Sequence, residues 1–165
     1  MSTGKLQVTT PSDREILLTR VFDAPRHLVF DCFTKPELLK RWGLGPREWT
    51  LTGCDIDLRP GGAWRFIMIK TDGTEMIMSG IYKEIVVPER IVQTERFEKP
   101  AYPGETLNTT TFTEKSGKTT LNIVVQCHSQ EVRDMVLKSG MEKGAGISYD
   151  RLEEMLPTFA SEVER

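Results

Sequence analysis

The stretch CDIDLRPGGAWRFIMIKTDGTEMIMSGIYKEIVVPERIVQTE, residues 54–95, alternates apolar with polar positions and is cut at short intervals by turn residues. A period of two puts successive side chains on opposite faces of a strand. Cys54, Ile56 and Leu58 fall on one side of the first run, Asp55 and Asp57 on the other. Pro60-Gly61-Gly62 turns the chain into residues 63–70, and Thr71-Asp72-Gly73 is a hairpin signal leading into residues 74–86. Pro88-Glu89 makes the next turn, before residues 91–97. Strands joined by turns this short run antiparallel, because a parallel pair needs a long crossover.

Toward the C-terminus, residues 98–105 form a longer loop with Pro100 and Pro103-Gly104. Strands over 106–114 and 119–127 then flank the turn Lys115-Ser116-Gly117-Lys118. Residues 130–156 have helix-forming composition, with Ser129 as a cap and Pro157 as a stop. On a 3.6-residue period Met141, Ala145, Ser148, Leu152 and Met155 share a face, with Leu137, Tyr149 and Leu156 at its edges. At 1.5 Å per residue such a helix spans about 40 Å, enough to cross a whole sheet.

Toward the N-terminus, residues 49–58 and 14–22 read as strands. Between them lie two short helices: 27–33, with Asp23 as its cap and Pro25 in the lead, and a second begun by Thr34, Pro36 and Glu37 and ending near Trp42-Gly43. The order predicts an α+β domain: a curved antiparallel sheet of about six to seven strands wrapped around a long C-terminal helix, with two short helices after strand one. One domain is expected over residues 14–156, with a flexible lead-in over 1–13 and a tail over 157–165.

The chain of 165 residues suits one domain with a real core. A formal net charge of −2 with no basic block argues against a nucleic-acid partner. No apolar run is long enough to span a membrane and the N-terminus is polar, so a cytoplasmic protein is expected. Cys32, Cys54 and Cys127 are widely spaced among apolar neighbours, which fits small buried hydrophobes rather than disulfides. His27 and His128 lie far apart, so neither a metal nor another cofactor is expected. A homodimer through sheet or insert is compatible with the sequence, but no stripe demands one.

FDAPRHLVFDCFTKPELLKRWG (residues 22–43), CDIDLRPGGAWRF (54–66) and TDGTEMIMSGIYKEIVVPERIVQTE (71–95) resemble, in matching order, the heat-shock-protein-90 ATPase activator C-terminal-domain family. That bacterial family belongs to the START-like (SRPBCC, helix-grip) superfamily, also called polyketide cyclase-like. The combination of Arg59-Pro60-Gly61-Gly62, Asp72-Gly73 and Pro88-Glu89-Arg90 is what makes the resemblance specific, and it covers about residues 14–156. It implies a helix-grip fold with a cavity between sheet and long helix, and it implies no fixed catalytic set. Relatives commonly carry a bulky aromatic where this chain has Ala145 after Gly144, which implies more room between helix and sheet here.

Trp64, Phe66 and Met68 alternate on one strand face, and Met76 and Met78 on the next. Across a hairpin they are neighbours, and methionine adapts to differently shaped apolar ligands. The opposite faces, with Ile67, Ile69, Ile77 and Ile81, are apolar too, so the pattern alone leaves open which side lines a cavity. The same residues also suit plain core packing. Gly140, Gly144 and Gly146 either open space along the long helix or mark a later helix start. Trp42 fits the cavity mouth or a plug between insert and sheet. Ser148 and Tyr149 offer polar contacts for a ligand. Glu95 and Tyr82 are the weak candidates for proton transfer, Glu95 being expected on the water side of its strand. No catalytic or nucleotide-binding motif is present.

Three functions remain. The first is a binder of a small apolar or aromatic molecule, walled by Trp42, Trp64, Phe66, Met68, Met76, Met78, Met141, Ala145, Ser148 and Leu152. The second is a cyclase- or hydratase-like enzyme using the same cavity on a polyketide-like substrate. The third, by analogy with the family's namesake, is a co-chaperone-like regulator of a heat-shock ATPase; the chain has no room for the namesake's additional N-terminal domain, which counts against it. Fold analogy alone does not choose among them.

Overall fold

The computed structural model describes residues 5–43, 48–99 and 104–163. One open antiparallel sheet carries eight strands: β1 (Gln7–Ser12), β2 (Glu15–Phe22), β3 (Trp49–Ile56), β4 (Ala63–Lys70), β5 (Glu75–Val86), β6 (Arg90–Lys99), β7 (Thr106–Lys115) and β8 (Lys118–Gln126). The spatial order is β1-β2-β8-β7-β6-β5-β4-β3. Strands β3 to β8 form a meander of hairpins, and β8 then pairs along the full length of β2, from Glu15↔Gln126 to Phe22↔Thr119. Helices α1 (Arg26–Thr34) and α2 (Pro36–Trp42) follow β2, and α3 (Gln130–Lys138) and α4 (Met141–Val163) close the chain. Among the described residues no helix is long and apolar enough to cross a membrane.

The eighth strand, β1, lies in the segment expected to be a loose lead-in. It hairpins onto β2 through Thr9↔Leu17 and Ser12↔Glu15. Its residues are almost all exposed, and Pro11 is tolerated because an edge strand needs no second ladder. The pattern QVTTPS therefore carries little of the apolar alternation by which strands are recognised. Of the loop expected over 98–105, residues 98 and 99 belong instead to β6, and residues 100–103 lie outside the described residues.

The helix boundaries also differ from expectation. Helix α1 starts after Pro25, whose carbonyl accepts from Leu28 and Val29, and no side chain caps it; Asp23 is exposed. The Thr34 hydroxyl donates back to the Phe30 carbonyl, so the residue before α2 is Lys35 rather than a capping Thr34. Ser129 does cap α3, its hydroxyl accepting from Val132 N–H at 3.1 Å.

The expected single long helix is two. Gly140, at φ +87°, breaks it after Ser139, a backbone position that glycine adopts without strain. Helix α4 then runs through Pro157 instead of stopping there. An interior proline removes one backbone hydrogen bond and crowds the preceding turn. Here both flanks are pinned: Leu156 and Phe159 are buried, and Arg41 grips Glu162 with two hydrogen bonds while lying over the Phe159 ring.

Tyr149, Leu152, Leu156 and Phe159 recur at three- and four-residue spacing and form the buried seam of α4. They join one core with Phe22, Phe112, Trp64 and Tyr82 from the sheet and Leu39 and Trp42 from α2. A smaller core of Ile16, Leu18, Val125, Cys127 and Val132 lies beneath α3.

Trp64 anchors the sheet in an unusual way. Its indole N–H reaches across β5 to the Thr94 carbonyl of β6 at 3.2 Å, while the Thr94 hydroxyl accepts from Ile81 N–H at 2.9 Å. Gly80 lies under this bridge, and an added Cβ there would fall 1.8 Å from the Thr94 carbonyl oxygen. Gly80→Ala is therefore expected to destabilise the protein by about 1–3 kcal/mol in urea denaturation. An unchanged midpoint would contradict this account of the bridge.

Candidate functional site

Register fixes which strand residues look toward the helices. Arg20 pairs with Leu121, Asn108 with Val125 and Gln93, and Glu95 with Thr106, so these side chains share the inner face. At one end of that face a cavity of about 80 Å³ opens between β6–β8 and the α3–α4 corner. Its floor is Glu95, Phe97, Thr106 and Val125. Its roof is Val132, Met135 and Val136 of α3, then Ser139 and Met141 across the break. At roughly 10–15 Å³ per water-sized occupant, the space admits a small organic molecule or a handful of waters.

The polar floor is continuous. The Thr106 hydroxyl donates to Asn108 Oδ1 at 3.0 Å, and the Asn108 amide hydrogen-bonds the Glu95 carboxyl. Burial holds that carboxyl above the ordinary carboxylate range, and the Asn108 bond only partly offsets it. Among the described residues no ion pair holds Glu95. Tyr149 of α4 completes this polar seam. Burial first, and then the nearby Glu95 charge, keep its phenol un-ionised, while Arg20 acts in the opposite sense. Arg20, only 4% exposed, bonds Asp150 at 2.7 Å.

The inner-face position of Glu95 differs from the water-side placement expected for it. The alternation is unreadable there because Thr94, on the other face, is also buried, its hydroxyl accepting from Ile81 N–H. Tyr82, the other weak candidate for proton transfer, is buried beside Cys54 and is not a lining residue of this cavity.

Of the residues expected to wall a cavity, Met141 borders this one. Ala145 packs between the two cores. Trp64, Met68 and Leu152 are buried in the larger core, and Phe66, Met76 and Met78 pack partly buried against it. Trp42 is buried in the larger core, its ring tilted against Phe33 at 4.8 Å and its indole N–H donated to the Cys32 carbonyl, and it is not a lining residue of this cavity. Ser148 is half-buried on α4. Phe97, Thr106, Val125 and the α3 residues were not singled out from sequence. Their signal was only the apolar set Val132, Val136 at helical spacing.

The cysteines sit elsewhere. Burial pushes the Cys32 thiol up to about 12 and Cys54 to about 11, so neither supplies a thiolate near neutral pH. Among the described residues no group of three or more His, Cys, Asp or Glu side chains is arranged to hold a metal ion.

The family model described as "Activator of Hsp90 ATPase homolog 1-like protein" matches residues 23–157. The chain belongs to this family.

Solved structures agree with its fold. A Rhodobacter sphaeroides protein superposes with a TM-score of 0.88 at 26% identity, covering 94% of this chain and 99% of that one. Proteins from Nitrosomonas europaea (TM-score 0.80, 26% identity, 91% and 98% covered) and Mycobacterium smegmatis (0.81, 25%, 93% and 97%) are also similar. No curated protein matches the chain. In this activator-homolog-like chain an added Cβ at Gly144 or Gly146 of α4 meets no atom within 4 Å, so close packing requires glycine at neither position.

The raised Glu95 carboxyl has a consequence for stability. The folded state binds that proton more tightly than the unfolded state, so stability falls as pH rises from about 4.5 through the folded value. Glu95→Gln is expected to melt higher than the parent protein at neutral pH, with the difference closing below pH 4.5. A lower melting temperature for the variant at neutral pH would show that the carboxylate is stabilised where it sits.

Proposed function

We propose that this protein binds a small, largely apolar molecule between the inner face of its sheet and the α3–α4 corner. The supporting observation is the cavity of about 80 Å³, walled by Phe97, Val125, Val132, Met135, Val136 and Met141 around one carboxyl. Mostly apolar walls with a few placed polar groups are what a small-molecule site needs. The half-buried turn Gly144-Ala145-Gly146 at the start of α4 presents little side chain, which leaves the helix standing off the sheet beside the cavity. The wall formed by Trp64, Phe66, Met68, Met76 and Met78 belongs to the same inner face and extends the apolar surface available to a larger guest.

The placement of Glu95 favours one second reading, proton transfer to or from a bound substrate. A desolvated carboxyl facing a cavity is suited to general acid–base work, and Tyr149 lies close enough to feel its charge. In that reading Glu95→Gln loses turnover while keeping substrate affinity.

Binding is tested by thermal shift with a library of small aromatic and aliphatic compounds. A ligand at a hundred times its Kd adds about 2.7 kcal/mol, a rise of roughly 5–10 °C for a chain of this size. Ala145→Trp, which pushes an indole from α4 toward Met141, is expected to abolish the rise while leaving the unliganded melt within a few degrees. A library without a single stabilising compound, together with no small molecule co-purifying in native mass spectrometry, would overturn the reading.

A further inference from the structure

Apart from Arg96, the polar side chains that line the cavity, Glu95, Thr106 and Ser139, present acceptors. Thr106 spends its hydroxyl hydrogen on Asn108 Oδ1, and Ser139 spends its own on the Val136 carbonyl at 2.6 Å. A hydroxyl has one hydrogen to give, so both present only lone pairs to a guest. The Asn108 amide is directed to Glu95. Arg96 also borders the cavity, but it alternates to the outer face, where its charge acts on Glu98. Among the described residues the Glu95 carboxyl therefore has no cation within ion-pair distance, Arg96 being the one cationic residue on the cavity's border.

We infer that the ligand is an amphiphile whose apolar body lies against Val125, Val136 and Met141 and whose head is a protonated amine donating to Glu95 and Thr106. This deepens the binding function proposed above and rests on it. An ammonium head supplies the donors that the floor lacks and the charge that a buried carboxylate needs. The same arrangement disfavours anionic heads, since a carboxylate placed there faces Glu95 and two lone-pair-bearing hydroxyls, and among the described residues no inner-face side chain of the cavity has a hydrogen to give it. Simple fatty acids are thereby disfavoured, although the walls would suit their tails.

The test is a set of guests with one body and different heads: 2-phenylethylamine, 2-phenylethanol, ethylbenzene, benzyl methyl ketone and phenylacetate, titrated into the full chain by NMR. The amine is expected to bind at least tenfold more tightly than ethylbenzene or the ketone, with the alcohol between them and phenylacetate weakest. In Glu95→Gln the preference for amine over ethylbenzene should shrink to less than threefold, with ethylbenzene affinity unchanged. Glu95→Met should lose the amine preference and hold ethylbenzene more tightly. If ethylbenzene binds but the amine gains nothing from Glu95, the inference about the head group fails and the binding site stands. A ketone preferred over the amine also overturns it, and assigns Glu95 the role of a protonated donor. If no member of the set binds, the proposed function fails and this inference with it.

Discussion

An antiparallel sheet of eight strands must hide one apolar face, and in this chain α4 shares that task with α1 and α2 over the larger core. Helix α4 commits Tyr149, Leu152, Leu156 and Phe159 to that task, and three of the four are at most 2% exposed. Fully burying side chains of this size contributes about 1.5–3 kcal/mol each. That gain holds α4 straight through Pro157 and fixes its height above the sheet. The turns before Tyr149 make no such commitment: residues 144–148 are only half-buried, and two of them are glycine. The helix is thus buried most deeply in its C-terminal half and less so at its N-terminal end. There α3, freed by the break at Gly140, closes the remaining space as a separate roof.

Polar residues on the inner face are the second consequence of that geometry. A sheet covered uniformly by apolar packing has no use for Arg20, Glu95, Thr106 and Asn108 on its inside. Here they form a seam across β2, β7 and β6, bridged to α4 through Tyr149 and Asp150. Arg20 is held by Asp150 with Glu153 Oε1 4.0 Å away, so removing either partner leaves charge poorly compensated in a buried place. Glu95 differs because its compensation is a single amide.

Much of the fold was legible. The turns Pro60-Gly61-Gly62, Thr71-Asp72-Gly73 and Pro88-Glu89 separate strands whose alternation is clear, and Ser129 announces α3. Failures occurred where tertiary contacts overrode local signals. The polar edge strand β1 lacks apolar alternation, and Pro157 is carried through a helix pinned by Phe159 and by the Arg41–Glu162 pair. The site was less legible for a related reason. Both faces of β4 are apolar in sequence, so alternation could not say that Trp64, Phe66 and Met68 lie on the inner one, nor which part of that face α4 covers. The side on which Glu95 lies is set by a β5–β6 register that shifts between Ile77 and Met78 and again between Tyr82 and Glu84, which no local signal announces.

The central claim is that the sheet and the α3–α4 corner enclose space that a guest can enter. Dissolved xenon, which settles in apolar cavities without needing a polar partner, probes this directly. Methyl NMR spectra under xenon pressure are expected to show saturating shifts at Val125, Val132, Val136, Met135 and Met141. The methyls of Leu152, Leu156 and Val29 in the packed core should stay still. Saturating shifts confined to those core methyls, or none anywhere in the protein, would contradict the account.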